Sequence, residues 1–144
     1  MEPIIDHIHI TVQDLDRAEK FYDRLLPLLG YDITLKEHDE EPEDEYRIVE
    51  YHHRSLSIGI VTSRKEYEQE KICRRKPGAL HHLAFTTPTK ESVDALFTDV
   101  SSFATIVHEP QFYPEYCDDY YAFFFKDSEG IELEIVHLDR ALYF

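Results

Sequence analysis

Ile5-Asp6-His7-Ile8-His9-Ile10-Thr11 and Leu80-His81-His82-Leu83-Ala84-Phe85-Thr86 are two versions of one segment, offset by 75 positions. Both alternate apolar with polar or small residues, the pattern of a strand with one buried face. The same offset sets Asp16 on Glu91, Ala18 on Val93, Phe21 on Leu96 and Tyr22 on Phe97. It also sets Ile58-Gly59-Ile60-Val61 on Leu133-Glu134-Ile135-Val136. One constant spacing across a strand, a helix and a closing strand points to an internal duplication.

Working outward from the first copy, a strand over Ile4–Val12 leads to Asp14, a helix N-cap. Leu15, Ala18, Phe21, Tyr22 and Leu25 follow at helical spacing and predict one buried face. Pro27 is expected to break that pattern, and Gly30 lets the chain turn. Strands are predicted over Tyr31–His38, Tyr46–Tyr51 and Leu56–Val61, with the acidic run Glu37–Glu45 as a solvated loop. Thr62–Gly78 is charged, ends in Arg74-Arg75-Lys76-Pro77-Gly78, and reads as a connector. The second copy repeats the order: strand Leu80–Thr86, a helix carrying Val93, Leu96, Phe97 and Val100, then strands near Thr105–Glu109, Tyr120–Phe125 and Ile131–Leu138. Lys126-Asp127-Ser128-Glu129-Gly130 has the polar residues and glycine of a hairpin turn. The predicted class is α+β, two βαβββ modules over about 4–62 and 79–138 within one domain, 1–144.

Composition narrows the function. With 144 residues, 42% hydrophobic and 13% aromatic, the chain can bury a core without disulfide or zinc staples. Its 30 acidic and 15 basic residues leave a formal net charge of −15, which disfavours nucleic acid and anionic membrane as partners. The charge does not exclude an anionic small molecule held by a local cluster. Cys73 and Cys117 form no CxxC and read as reduced thiols. Met1-Glu2-Pro3-Ile4-Ile5-Asp6 is acidic and lacks an apolar signal run, and no stretch reaches the roughly 18 apolar residues of a membrane span. A cytoplasmic location is the expectation.

Strand parity gives the chemistry. Ile8, Ile10 and Val12 should face the helix, so His7, His9 and Thr11 face away. In the second copy Leu83 and Phe85 face the helix, leaving His82, Ala84 and Thr86 opposite. In the last strand Ile131, Leu133 and Ile135 face the helix, so Glu132, Glu134 and Val136 share the side of His82. Two equivalent histidines and a carboxylate on such faces have the composition of a two-histidine, one-carboxylate metal triad with open positions. For any one of nine histidines a hydrogen-bonded surface role is the commoner one; the repeat symmetry is what singles these out.

Ile5-Asp6-His7-Ile8 followed by Asp14-Leu15-Asp16-Arg17-Ala18-Glu19-Lys20-Phe21-Tyr22 resembles the opening of glyoxalase-type proteins of the vicinal oxygen chelate superfamily. Asp127-Ser128-Glu129-Gly130-Ile131-Glu132-Leu133-Glu134 is similar to their closing Asp-Pro-Asp-Gly…Glu signature, and Leu80-His81-His82-Leu83-Ala84-Phe85 to the start of their second module. The resemblance implies curved sheets around a cleft and a divalent metal (zinc, nickel, manganese or iron) on His7, His82 and Glu134. It also implies a homodimer and a small oxygenated substrate bound through two oxygens. The superfamily includes glyoxalase I, fosfomycin-modifying transferases, extradiol dioxygenases, methylmalonyl-CoA epimerase and bleomycin-binding proteins. Glyoxalase I and the epimerase use a further carboxylate where the offset puts Gly59, so the three-ligand pattern is closer to fosfomycin-modifying enzymes and extradiol dioxygenases. The expected function is therefore a metal-dependent isomerase or lyase, dioxygenase or thiol transferase. The alternatives are a metal-free protein that sequesters a small molecule, as in bleomycin resistance, and a regulatory homodimer without activity.

Around that triad, His9 projects beside His7 and is a candidate general base. Tyr113, Tyr116, Tyr120 and Tyr121 cluster near Phe112-Tyr113-Pro114-Glu115-Tyr116 and can wall a pocket, with Tyr113 and Tyr121 taken as substrate-binding. Arg47 and Arg54 are candidates for a substrate carboxylate or phosphonate, Arg47 the preferred one. His81 is expected on the face opposite His82.

Overall fold

Each half of the chain builds one helix and one four-stranded mixed sheet in the order βαβββ. The computed structural model describes residues 4–144, so Met1, Glu2 and Pro3 of the opening stretch lie outside the described residues. The chain divides into two units, residues 1–71 and 72–144.

In the first unit β1 (His7–Val12) leads through Asp14 to α1 (Leu15–Leu28). Asp14 accepts from the Arg17 amide at 2.9 Å, satisfying one of the amides left open at a helix start. Leu15, Ala18, Phe21, Tyr22 and Leu25 are buried, the stripe that the helical spacing predicted, and Leu26 is buried with them. Three further strands follow: β2 (Glu37–Glu41), β3 (Tyr46–Tyr51) and β4 (Ser57–Thr62). The sheet order is β1-β4-β3-β2, with β1 and β4 parallel and the other pairs antiparallel. Ile58, Ile60, Val49 and Tyr51 close the core under α1, each 1% exposed or less. Fully burying such a side chain is worth about 1.5–3 kcal/mol.

Three predictions are corrected here. Pro27 does not end α1 but sits in its last turn, where the Leu29 and Gly30 amides turn back on the Leu26 and Pro27 carbonyls. Tyr31–His38 is not one strand. Asp32 accepts from the Thr34 amide and hydroxyl, winding Ile33–Leu35 into a 3₁₀ turn. The acidic run is β2 for its first five residues and a 3₁₀ turn over Pro42–Asp44. Every residue of β2 is exposed. As an edge strand it pairs only with β3, needs no apolar face, and its carboxylates deter further pairing.

The second unit repeats the plan with β5 (Leu83–Thr86), α2 (Lys90–Val100), β6 (Thr105–Phe112), β7 (Tyr121–Lys126) and β8 (Glu132–His137). The order is β5-β8-β7-β6, again with the first pair parallel. Thr89 caps α2 by accepting from the Ser92 amide at 3.1 Å. Val93 and Val100 of α2 and Phe123, Phe125, Leu133 and Ile135 of the sheet are fully buried. β5 is shorter than predicted, so His81 and His82 precede it. β6 runs beyond Glu109 through Pro110, tolerated because β6 is an edge strand and its register against β7 shifts on both sides of His108.

The duplication is visible in register. His9 lies opposite Gly59 across β1 and β4, and Ala84 opposite Glu134 across β5 and β8, both steps being 75. Cys73 and Cys117 are free thiols. Among the described residues, no helix is long and apolar enough to cross a membrane.

Candidate metal centre

Glu134 is on the second strand of the β5–β8 pair, on the face away from α2, and is only 1% exposed. An ionised carboxylate in that position needs partners. Tyr120 supplies one: its hydroxyl donates to Oε1 at 2.5 Å. Burial raises the Glu134 carboxyl above its usual range, while Tyr120 and the nearby His82 act in the other direction. The Tyr120 phenol is itself pushed well above its ordinary value, by burial first and then by the carboxylate. It therefore stays a donor at neutral pH.

The other oxygen, Oε2, faces His82 Nε2 at 3.4 Å. That spacing is long for a charge-assisted hydrogen bond. Two donors each about 2.1 Å from a tetrahedral ion stand about 3.4 Å apart, so the pair fits two corners of a zinc-like site. The far side of His82 is also held, because its Nδ1 lies 2.7 Å from His81 Nδ1. Only one of those nitrogens carries the proton. If it is His82 Nδ1–H that donates, a bare Nε2 lone pair confronts the Glu134 carboxylate, an arrangement that a cation between them would relieve. His81, expected on the opposite face, thus bonds its neighbour. Burial, then the Arg74 charge, His82 and Arg75, lowers its imidazole pKa. A lowered basicity favours the neutral, proton-accepting form.

The first unit has a related arrangement. His7 Nδ1 is 2.8 Å from Asp6 Oδ2, so an Nδ1–H donates there and leaves Nε2 available. Asp6 and His81, one position before each candidate ligand and 75 apart, make the same contact in the two copies. The His9 ring lies beside that of His7, tilted by 42° with centroids 4.9 Å apart, and its Nε2 approaches Glu50 Oε1 at 3.4 Å. Gly59 makes this possible. A Cβ there would lie 2.5 Å from His9 Cδ2 and 3.0 Å from Ile48 Cδ1. The imidazole therefore occupies the space above the position where the second copy carries its carboxylate.

The remaining candidates separate by face. Tyr113 is on the side of His82: its ring lies 5.5 Å from Phe124, whose ring is 6.4 Å from His82. Tyr121 points the other way and donates to Asp94 of α2 at 2.8 Å. Arg47 pairs with Asp16 of α1 at 3.0 Å, also on the helix side. Within neither unit do three or more His, Cys, Asp or Glu side chains gather into a metal-holding group among the described residues. Residue reading missed Tyr120, Glu50, Asp6 and His81 as supporting groups. The offset of 75 between the last two was the available signal; Tyr120 was in the tyrosine cluster read as a pocket wall but without its link to Glu134, and nothing in the linear order marks Glu50, which arrives from a neighbouring strand.

Comparison with known proteins agrees with this architecture. No curated protein matches. Among solved structures, a candidate glyoxalase from Bacillus halodurans is 26% identical with a TM-score of 0.73, covering 93% of this chain and 95% of that one. A glyoxylase/bleomycin resistance protein/dioxygenase domain from Frankia sp. EAN1pec is 20% identical with a TM-score of 0.75, over 96% and 99% of the two chains. The fosfomycin resistance protein FosX of Listeria monocytogenes is 14% identical with a TM-score of 0.63, over 95% and 93%. The family model for glyoxalase, bleomycin resistance protein and dioxygenase matches residues 4–135. With that span covering both βαβββ copies, the chain belongs to the Glyoxalase/Bleomycin resistance protein/Dioxygenase superfamily.

Proposed function

We propose that this chain is a divalent-metal-dependent enzyme acting on a small molecule with two neighbouring oxygens, with His7, His82 and Glu134 as the metal ligands of one domain spanning 1–144. Members of the superfamily commonly use a divalent metal. The observation that carries the reading is the His82–Glu134 pair, whose facing atoms are 3.4 Å apart while both outer atoms are engaged. Zinc, nickel, manganese and ferrous iron all suit imidazole and carboxylate donors. When bound, such an ion supplies Lewis-acid stabilisation of negative charge developing on a chelated oxygen.

The chain's own groups have distinct parts. Tyr120 fixes the Glu134 carboxylate, and Asp6 and His81 orient the two imidazoles through Nδ1. Tyr113 walls the substrate side, whereas Arg47 and Tyr121 face the helices and are left out of the pocket in this reading. His9, held near Glu50, is the group placed to accept a proton from bound substrate. Isomerase or lyase, dioxygenase and thiol transferase reactions all suit this set. The FosX fold match gives the last two no preference over the first.

Elemental analysis of the purified protein tests the reading. About one metal per chain is expected, lost in His82→Ala and Glu134→Ala with the fold retained by circular dichroism. Metal at full stoichiometry in the double variant would refute the ligand assignment. A metal-free sequestering protein would instead bind its ligand equally well after chelation. Homodimerisation is part of the proposal and is read by sedimentation.

A further inference from the structure

Beside Glu134, on the same face of the second unit's sheet, lies a cavity of about 370 Å³. That volume is within the range of small-molecule sites. Its walls are largely apolar: Tyr116, Tyr120, Val136, Leu138 and Phe144 supply them, and no carboxylate lines it. Cys117, also in the lining, has its thiol pKa pushed up by burial and by Asp119, so it adds no charge. The one charged lining group is Arg140.

Arg140 is one of several bases that hold no carboxylate among the described residues, and it is the one that lines this cavity. Lys36, Arg47, Lys65, Arg74 and Lys90 each hold a carboxylate within their own unit. In a chain with twice as many acids as bases, Arg140 holds none among the described residues. Its guanidinium carbon lies 4.8 Å from the centre of the Phe144 ring. The nearby acids are otherwise engaged. Asp139 accepts from the Ala141 amide, and Asp119 accepts from the Asp139 amide and the Cys117 thiol. These bonds fix the 3₁₀ turn Arg140–Leu142, which sets the guanidinium at the cavity wall. A fork of donors stacked on an aromatic ring, with no acceptor and with apolar walls, is built to take a planar anion.

We infer that this cavity binds the carboxylate of the ligand through Arg140, with an aromatic or aliphatic body packed against Tyr116, Leu138 and Phe144. The inference deepens the function proposed above and rests on it only for the ligand's role as substrate. Ala84, opposite Glu134 in register, and Tyr120, bonded to Glu134, both line the cavity, so a molecule anchored at Arg140 extends toward the candidate metal ligands. Arg140 is then a specificity-determining residue, and the substrate class narrows to small organic acids whose carboxylate is separate from the oxygens that chelate.

The test uses 3-phenylpropionate and its neutral isostere 3-phenylpropionamide, titrated into the full chain and followed by methyl NMR of Val136 and Leu138. The protein is first stripped of metal with EDTA and then dialysed into metal-free, chelator-free buffer, so the acid cannot report on a metal and no polycarboxylate competes at Arg140. The expected result is saturable binding of the acid and at least tenfold weaker binding of the amide. Arg140→Met should bring the acid down to the affinity of the amide, while Arg140→Lys keeps part of the preference. Equal binding of acid and amide, a preference that survives Arg140→Met, or no saturable binding of the acid would each overturn the inference. Because the titration is metal-free, failure here and failure of the metal assignment are separate results.

Discussion

Replacing Gly59 by alanine puts a methyl carbon 2.5 Å from His9 Cδ2, 2.9 Å from Nε2 and 3.0 Å from Ile48 Cδ1. Ordinary contacts begin near 3.4 Å, so the imidazole has to move by about 1 Å and Ile48 by a few tenths. Ile48 is buried at 7% exposure and yields little, whereas the His9 side chain is 37% exposed and can rotate outward. Overpacking of this kind costs about 1–3 kcal/mol. Alanine recovers about 0.5–1 kcal/mol relative to glycine within a strand, because it loses less backbone freedom on folding. The His9–Glu50 contact given up is partly exposed and worth under about 1 kcal/mol. The net expectation is a loss of about 1 kcal/mol, a urea midpoint lowered by roughly 0.5 M for a slope of about 2 kcal/mol per M. The His9→Ala background supplies the control. There the methyl has room, so Gly59→Ala should be neutral or slightly stabilising, a coupling of about 1 kcal/mol across the cycle. An equal cost of Gly59→Ala with and without the His9 ring would refute the claim that this glycine is there to seat the imidazole.

Other perturbations address separate parts of the account. Tyr120→Phe removes the donor to the buried Glu134 Oε1, so urea unfolding should show a loss of about 1–3 kcal/mol and metal titration an affinity about 10–100-fold weaker. Phe123→Ala empties a fully buried site against Phe97 of α2, whose ring centroid is 5.5 Å away, and should cost about 3–5 kcal/mol by denaturant titration. Burial opposes the Glu19 charge, but Lys36 and His38 outweigh it and hold its carboxyl below the usual glutamate range. The stability that this carboxylate contributes is thus present above the unfolded-state pKa and lost as pH falls through the lowered folded value. Melting temperatures between pH 6 and pH 3 should fall less steeply in Glu19→Gln than in the parent. A metal bound to the folded state at about 100 times its Kd should add about 2.7 kcal/mol to stability, an increment that EDTA removes.

The duplication was legible because both copies need the same buried face. Ile8, Ile10 and Val12, then Leu83 and Phe85, write the period-two pattern of a strand backed by a helix, and His82 and Glu134 follow by parity. The sheet edges were not legible. β2 buries nothing, so its Glu-His-Asp-Glu-Glu sequence carries no periodicity, and only backbone pairing with β3 makes it a strand. Which of Tyr120 and Tyr121 faces Glu134 was not legible for a related reason. Adjacent strand residues face opposite sides, so a one-residue uncertainty in phase exchanges Tyr120, bonded to Glu134, for Tyr121, bonded to α2. The Arg47 ion pair was not legible either, since its partner Asp16 lies 31 positions away on the helix. Glu50 was invisible for the same reason: its approach to His9 depends on the β3–β4 register, which no local pattern specifies.

A crystal grown with zinc or manganese and measured at the absorption edge of the ion tests the ligand assignment directly. A single anomalous peak within bonding distance of His7 Nε2, His82 Nε2 and Glu134 Oε2 is the predicted result. A peak held by other side chains, or no peak in metal-saturated crystals, would contradict it.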